Sequence, residues 1–217
     1  MKFFYLILIA SSLSYCQSEF INGNDFGIGT GYTYSANDLS KSSSFEGVFT
    51  FIGAIDLGLQ FSNGTVDINR KINSSSSTFY LAYNFKRQNT ALNFKILLGY
   101  QVGSVERHYY TSKMKSSGLL IGAGFYPSFI KTKPFFWMGV IELLYGFNSV
   151  APASVPQNSE LIDTRSISAG FNLGFTLFPK FNLVLSPFIS KDLINDDISA
   201  FYGISGRIIF SFGLIDQ

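Results

Sequence analysis

The chain has little charge, one cysteine and one histidine, and each shortage closes off a class of protein. Asp, Glu, Lys and Arg together make up 14% of the 217 residues, against roughly a quarter in ordinary soluble domains. The net charge of +2 offers no basic face to a nucleic acid, so no nucleic-acid partner is expected. Cys16 is the only cysteine and excludes an internal disulfide. His108 is the only histidine; with no ligand cluster beside it, neither a metal nor another cofactor is expected. Beyond the N-terminus no apolar run is long enough for a membrane helix.

What the chain has instead is apolar and aromatic side chains in alternation. Apolar residues are 47% and aromatic residues 17% of the chain, with 24 Phe and 12 Tyr, and the mean hydropathy is +0.23. The clearest stretch runs from Thr164 to Phe178. Ile167, Ala169, Phe171, Leu173, Phe175 and Leu177 alternate with Ser166, Ser168, Gly170, Asn172, Gly174 and Thr176. Neighbouring strand side chains point to opposite faces, so this is a strand with one oily face and one polar face. A helix would mix the two sets, because its period is near 3.6. The stretch is also longer than the usual five or six residues, and matches the roughly 9–11 that a tilted strand needs to cross a bilayer.

Met1 to Cys16 reads as a secretory signal: Lys2 is the positive start, Phe3 to Ala10 the apolar core, and Ser11, Ser12 and Ser14 the small residues near cleavage. A single mature domain is expected over 17–217. The sequence Leu13-Ser-Tyr-Cys16 departs from a lipoprotein cleavage box at Tyr15, where a small residue is needed. Cys16 is thus either the last residue of a cleaved peptide or a lipidated first one.

The alternation recurs along the chain. Strands are expected over 25–35, 45–51, 55–62, 79–85, 92–101, 118–125, 135–147, 164–178, 181–190 and 198–212, with the least certain boundary at Ile52-Gly53-Ala54. The glycines of the first of these, Gly27, Gly29 and Gly31, lack the spacing and following helix of a nucleotide loop and read as an inner wall. Between strands, long polar connections are expected at 37–43, 67–76, 104–117, 149–163 and 191–197. The short ones fall at 52–54, 87–90, 131–134 and 179–180. Asn63 and Asn73, which begin N-x-S/T triplets, count as loop polarity. The fold class is therefore all-β: a closed antiparallel transmembrane barrel, an up-and-down meander of about ten strands, with eight as the alternative. Long and short connections alternate in membrane barrels of this kind, and the bilayer demands closure, since every backbone donor and acceptor in it must be paired. Aromatic residues gather near strand ends, Tyr32, Tyr34, Tyr145 and Phe147 at the loop end and Trp137, Phe175, Phe181, Phe210 and Phe212 at the turn end, as in two interfacial girdles.

With its signal sequence, alternating loops and aromatic terminal strand Arg207-Ile-Ile-Phe-Ser-Phe212, the chain resembles the small outer-membrane β-barrels of Gram-negative bacteria, the OmpA-like and porin-like families. The resemblance covers nearly all of the mature chain; its departure is the tail Gly213 to Gln217, where many members end on the aromatic. It implies the cell outer membrane after export, outer-membrane lipid as a partner, recognition of the terminal strand by the barrel-assembly machinery, and no particular activity.

Five charged residues fall on the polar faces: Glu46, Asp56, Lys95, Glu142 and Arg207. Buried charges are costly alone, so they are expected to pair across the lumen, with Glu142 reaching Lys95 or Arg207. Three roles follow. A plugged lumen leaves a structural or surface-interaction role; a charged lining makes a narrow pore for small solutes; and His108, with Glu106, Glu160 and Asp163 in neighbouring loops, would be the base of a hydrolase at the rim. A single histidine in a loop favours the first two, so no enzyme is expected. No surface ligand can be named from these residues.

Overall fold

The structure, a computed structural model, describes residues 21, 25–67, 71–85, 92–107, 113–132, 134–154, 159–178, 180–194 and 199–213. The signal segment, Cys16, His108 and residues 214–217 lie outside them. Ten strands make up nearly all of the described chain: β1 (Asp25–Ala36), β2 (Ser40–Phe51), β3 (Ile55–Asp67), β4 (Lys71–Phe85), β5 (Leu92–Arg107), β6 (Lys113–Thr132), β7 (Phe135–Pro152), β8 (Glu160–Phe178), β9 (Phe181–Asp192) and β10 (Phe201–Gly213). Each pairs antiparallel with its sequence neighbours, and β1 pairs with β10 from Asp25↔Gly213 to Ala36↔Tyr202, closing the barrel. Closure leaves no edge strand, which is the condition for placing a sheet in lipid.

The alternation has the expected sense. On β5 the outward Phe94, Ile96 and Leu98 are each 53% exposed, while Lys95 and Leu97 between them are 3% exposed. The stretch from Thr164 to Phe178 behaves likewise: Phe171 faces out and Asn172 is buried. An apolar surface of this extent would not stay in water; it is a lipid-facing belt.

The connections, however, are much shorter than the polar stretches suggest. The serine run Ser74–Ser77 is part of β4, and Ser62 to Asp67 belongs to β3, so Asn63 and Asn73 sit on strands with exposed side chains rather than in a loop. The stretch 104–117 is mostly the end of β5 and the start of β6, and Pro152 closes β7 while β8 begins at Glu160. The hydrogen-bonded wall therefore rises beyond the lipid belt at the loop end. Its outer face there carries Ser43, Asn63, Ser75, Ser104 and Lys115, which lie in one continuous register row. Once a strand leaves the hydrocarbon its outer residues turn polar, alternation of polarity disappears, and the backbone ladder continues regardless.

The turn at Ile52-Gly53-Ala54 is confirmed. Ala54 N–H donates to Phe51 O at 3.1 Å, and the two central residues have φ of 48° for Ile52 and 56° for Gly53. This is the primed geometry of tight hairpins, which Asn-Gly fills well and a β-branched residue fills badly. Gly53 N–H also donates to Asp25 O at 2.8 Å, tying the turn to the start of β1. The Ile52→Asn variant is expected to be more stable by about 1 kcal/mol, read from the urea midpoint of unfolding; an unchanged or lower midpoint would show that Ile52 carries no strain.

Aromatic rings gather where β1 meets β10 at the turn end. Phe26 stacks on Phe212 with centroids 5.9 Å apart and packs edge-on against Phe51 at 4.9 Å, and Phe210 lies 6.2 Å from Phe212. The terminal-strand aromatics thus cover the closure seam. At the other interface Tyr145 packs on Phe147 at 4.2 Å, lies under the Arg165 guanidinium at 5.0 Å, and donates to Asp163 at 2.9 Å. A ring on the lipid side with its hydroxyl among charges is the girdle arrangement. Tyr32, Tyr34, Trp137, Phe175 and Phe210 are all exposed on the outer face, while Phe181 and Phe212 are half-buried.

Candidate functional site

Among the described residues, the barrel interior gathers charge away from water. Glu46 (β2), Asp56 (β3), Lys95 (β5), Glu142 (β7) and Arg207 (β10) all point inward and are buried. The register explains how they meet. Arg207 and Glu46 are both Cα partners of Gly31 on β1, one from each side, across the closure seam. Gly31 has no side chain to intervene: a Cβ there would fall 2.7 Å from Arg207 Cγ. The arginine stem lies across it, and Arg207 Nε comes to 3.9 Å from Glu46 Oε2. Lys95 and Glu142 repeat the arrangement, both being Cα partners of Gly124 on β6, and they line one crevice. Opposite charges flanking a glycine thus occur on two sides of the same lumen.

Each glutamate accepts from a buried tyrosine. Tyr80 donates its hydroxyl to Glu46 and Tyr126 donates to Glu142. Both tyrosines are fully buried, and both rings occupy the space a side chain would need at a glycine, Tyr80 at Gly58 and Tyr126 at Gly124. Asp56 accepts from Thr50 Oγ1 at 2.6 Å and from Asn84 Nδ2 at 3.2 Å. Buried carboxylates are tolerable when supplied with such donors. Lys95 and Asp56 also lie within Coulombic range of Glu46.

The structure brings Glu142 and Lys95 into one crevice, but Arg207 goes to Glu46, because the β1–β10 closure sets those two beside each other. Reading the sequence missed Tyr80 and Tyr126, and also Asp192, a buried charge at the end of β9 in a stretch read as loop. A signal for the tyrosines existed: Tyr80 stands on the polar face of β4 between outward Phe79 and Leu81, opposite a glycine.

Three apolar clusters lie among the buried serines, threonines, asparagines and glutamines that line the rest of the lumen. At the loop end Val66, Ile72, Val105, Val150 and Ile162 form a buried cluster with Met114 against it. Midway, Val48, Tyr80, Ala82 and Leu97 cluster with Leu144. At the turn end Met138, Val184 and Ile209 pack with Phe136 and with Ile21, from ahead of β1, whose side chain lies over Gly27. Of the rim residues considered for hydrolysis, Glu106 pairs with Lys113 at 2.6 Å and Asp163 accepts from Tyr145. Among the described residues no group of His, Cys, Asp and Glu could hold a metal ion.

No protein-family model matches the sequence, and no curated protein matches it. Solved structures do. The translocator domain of the autotransporter NalP from Neisseria meningitidis is similar over 90% of this chain and 91% of its own, with a TM-score of 0.58 at 12% identity. The outer membrane protease OmpT from Escherichia coli covers 94% of this chain and 100% of its own at a TM-score of 0.43 and 8% identity. Neisserial surface protein A covers 88% of this chain and 98% of its own at 0.43 and 12%. At these identities the first likeness speaks for the barrel fold alone.

Proposed function

We propose that this protein is an integral outer-membrane barrel whose lumen is plugged, acting in envelope structure or in surface contact rather than in transport. The lipid-facing belt, the closed ten-strand wall and the fold shared with an outer-membrane translocator domain support the location. The observation that carries the plug is the filling of the lumen by side chains at every level. An apolar cluster lies at each end, and the Arg207–Glu46–Tyr80 and Glu142–Tyr126 groups lie between them, with Lys95 lining the same crevice as Glu142. Barrels of about eight strands are filled in this way, whereas those of 16 or more hold water channels; ten strands belong near the filled end. The wall that rises past the belt gives the loop end a polar collar, the natural surface for contacts outside the cell. Outer-membrane lipid is its solvent partner, and β10, with Phe210 and Phe212 outward, is the segment offered to the barrel-assembly machinery.

Reconstituted into planar bilayers, the purified protein is expected to give no steady conductance. A reproducible, cation- or anion-selective step in the wild type would make it a narrow pore and overturn the plug. The Tyr80→Gly variant, which empties space beside Gly58 and frees Glu46 from its donor, is expected to leak small ions.

A further inference from the structure

Two cations stand together where the lipid belt ends on the loop side of β8 and β9. Along the outer face of β8 the residues run Phe171, Ala169, Ile167 and then Arg165; along β9 they run Leu185, Pro187, Ile189 and then Lys191. Ile167 and Lys191 are Cα partners, and Leu193 N–H donates to Arg165 O at 2.8 Å, so Arg165 and Lys191 are diagonal neighbours on one face. Such neighbours stand roughly 7–8 Å apart, within reach of long side chains. Both side chains are exposed, and neither is in an ion pair among the described residues.

The arginine is held in place. Its guanidinium lies 5.0 Å from the centre of the Tyr145 ring, and the Tyr145 hydroxyl donates to Asp163 at 2.9 Å. Asp163, two positions further from the belt on β8, is thus engaged on the far side of the arginine. What is left open is a positively charged step directly above Ile167 and Ile189, which face lipid. Two like charges this close repel, and an anion between them turns the repulsion into attraction. Lys41 makes the comparison. It too is exposed on the outer face past the belt, but its neighbours there are Ala36, Ser43 and Thr65, and no second cation joins it.

We propose that Arg165 and Lys191 clamp the phosphate of an anionic lipid in the loop-side leaflet. Phosphate oxygens accept from the planar fork of Arg165, and Lys191 supplies a second positive charge from the neighbouring strand. The acyl chains run down the belt over Ile167, Ala169 and Ile189. Position selects a lipid rather than a free anion. Salt screens two exposed cations from phosphate in solution, whereas a head whose chains already lie on the belt is presented to them at high effective concentration. The inference rests on the barrel lying in a membrane and not on its lumen being plugged.

The test is native mass spectrometry of the folded protein in a neutral detergent, titrated with phosphatidic acid and, separately, with the diacylglycerol of the same chains. A saturable phosphatidic acid adduct, clearly tighter than any diacylglycerol adduct, is expected. Arg165→Gln and Lys191→Gln should each weaken it about fivefold, the worth of one cation beside an anionic lipid surface, and together about 25-fold if the two add. Lys41→Gln should leave it unchanged, and inorganic phosphate at the same concentration should not displace it. Equal binding of the two lipids by the wild-type protein overturns the clamp as ordinary belt contact. Displacement by inorganic phosphate makes the pair a site for a free anion and overturns the lipid. A loss at Lys41 as large as at Arg165 or Lys191 overturns the assignment to this pair. Failure of the clamp alone leaves both lipids bound alike, whereas failure of the membrane reading leaves neither bound. The lipid comparison uses unaltered protein, so the test stands even if a variant fails to fold.

Discussion

Replacing Arg207 with methionine is expected to cost about 3–5 kcal/mol of unfolding free energy, the usual consequence of leaving one member of a buried ion pair alone. Arg207 and Glu46 are each 4% exposed, so water cannot take over the guanidinium's role without entering the barrel. Methionine preserves much of the stem that crosses Gly31, which separates loss of charge from loss of packing. Adding Glu46→Gln to the same protein removes the stranded carboxylate while Tyr80 can still donate to the new amide oxygen. The double variant should therefore be clearly more stable than the sum of the two single losses predicts. Reversible urea unfolding followed by the fluorescence of Trp137, the only tryptophan, measures all four proteins, and a coupling of 0.5–3 kcal/mol is typical of groups in contact. Strict additivity would mean that the two charges do not act on each other.

Putting arginine at Leu98 should cost about 2–4 kcal/mol, the penalty for a cation near the bilayer midplane on a barrel's lipid face. Leu98 is 53% exposed and stands between outward Ile96 and Tyr100, in the middle of the apolar part of β5. On a water-soluble protein the same change at so exposed a position would be nearly neutral, within about 0.5 kcal/mol. Ser104 is the internal control. It lies further along the same outer face, past the end of the belt, beside Ser75 at 3.2 Å, and Ser104→Arg should cost less than about 1 kcal/mol. Equal, small effects at both positions would remove the lipid-facing reading of the wall.

The two experiments address what was legible in the sequence and what was not. The lipid belt was legible because a bilayer demands an apolar side chain at every second position of a strand that crosses it, and Leu92-Asn93-Phe94-Lys95-Ile96 carries that imprint. Strand length was not. From Ser74 to Ser77, and again around Ser104 and Ser117, both faces are polar, so the sequence reads as loop although the backbone ladder continues. One hint lay in the inward apolar residues at those ends, Val66, Ile72, Val105 and Ile162, spaced too sparsely to mark a strand alone. In the lumen, the identity of the five charged residues could be read from their place on the polar faces, and the tyrosines that serve them could not.

By itself, then, the sequence determined which side of each strand meets lipid, since side-chain direction follows from position along the strand. It pointed to about ten strands, since each belt crossing leaves its own mark, but left eight open; the closed β1–β10 wall fixed ten. The tertiary structure alone decided who pairs with whom inside. That Arg207 meets Glu46 depends on β10 closing against β1 in one register with Gly31 between them, and that Tyr80 reaches Glu46 depends on β4 lining up with β3 so that its ring lies over Gly58. Both are set by how strands line up across the barrel, a relation between residues far apart in the chain that no local pattern records.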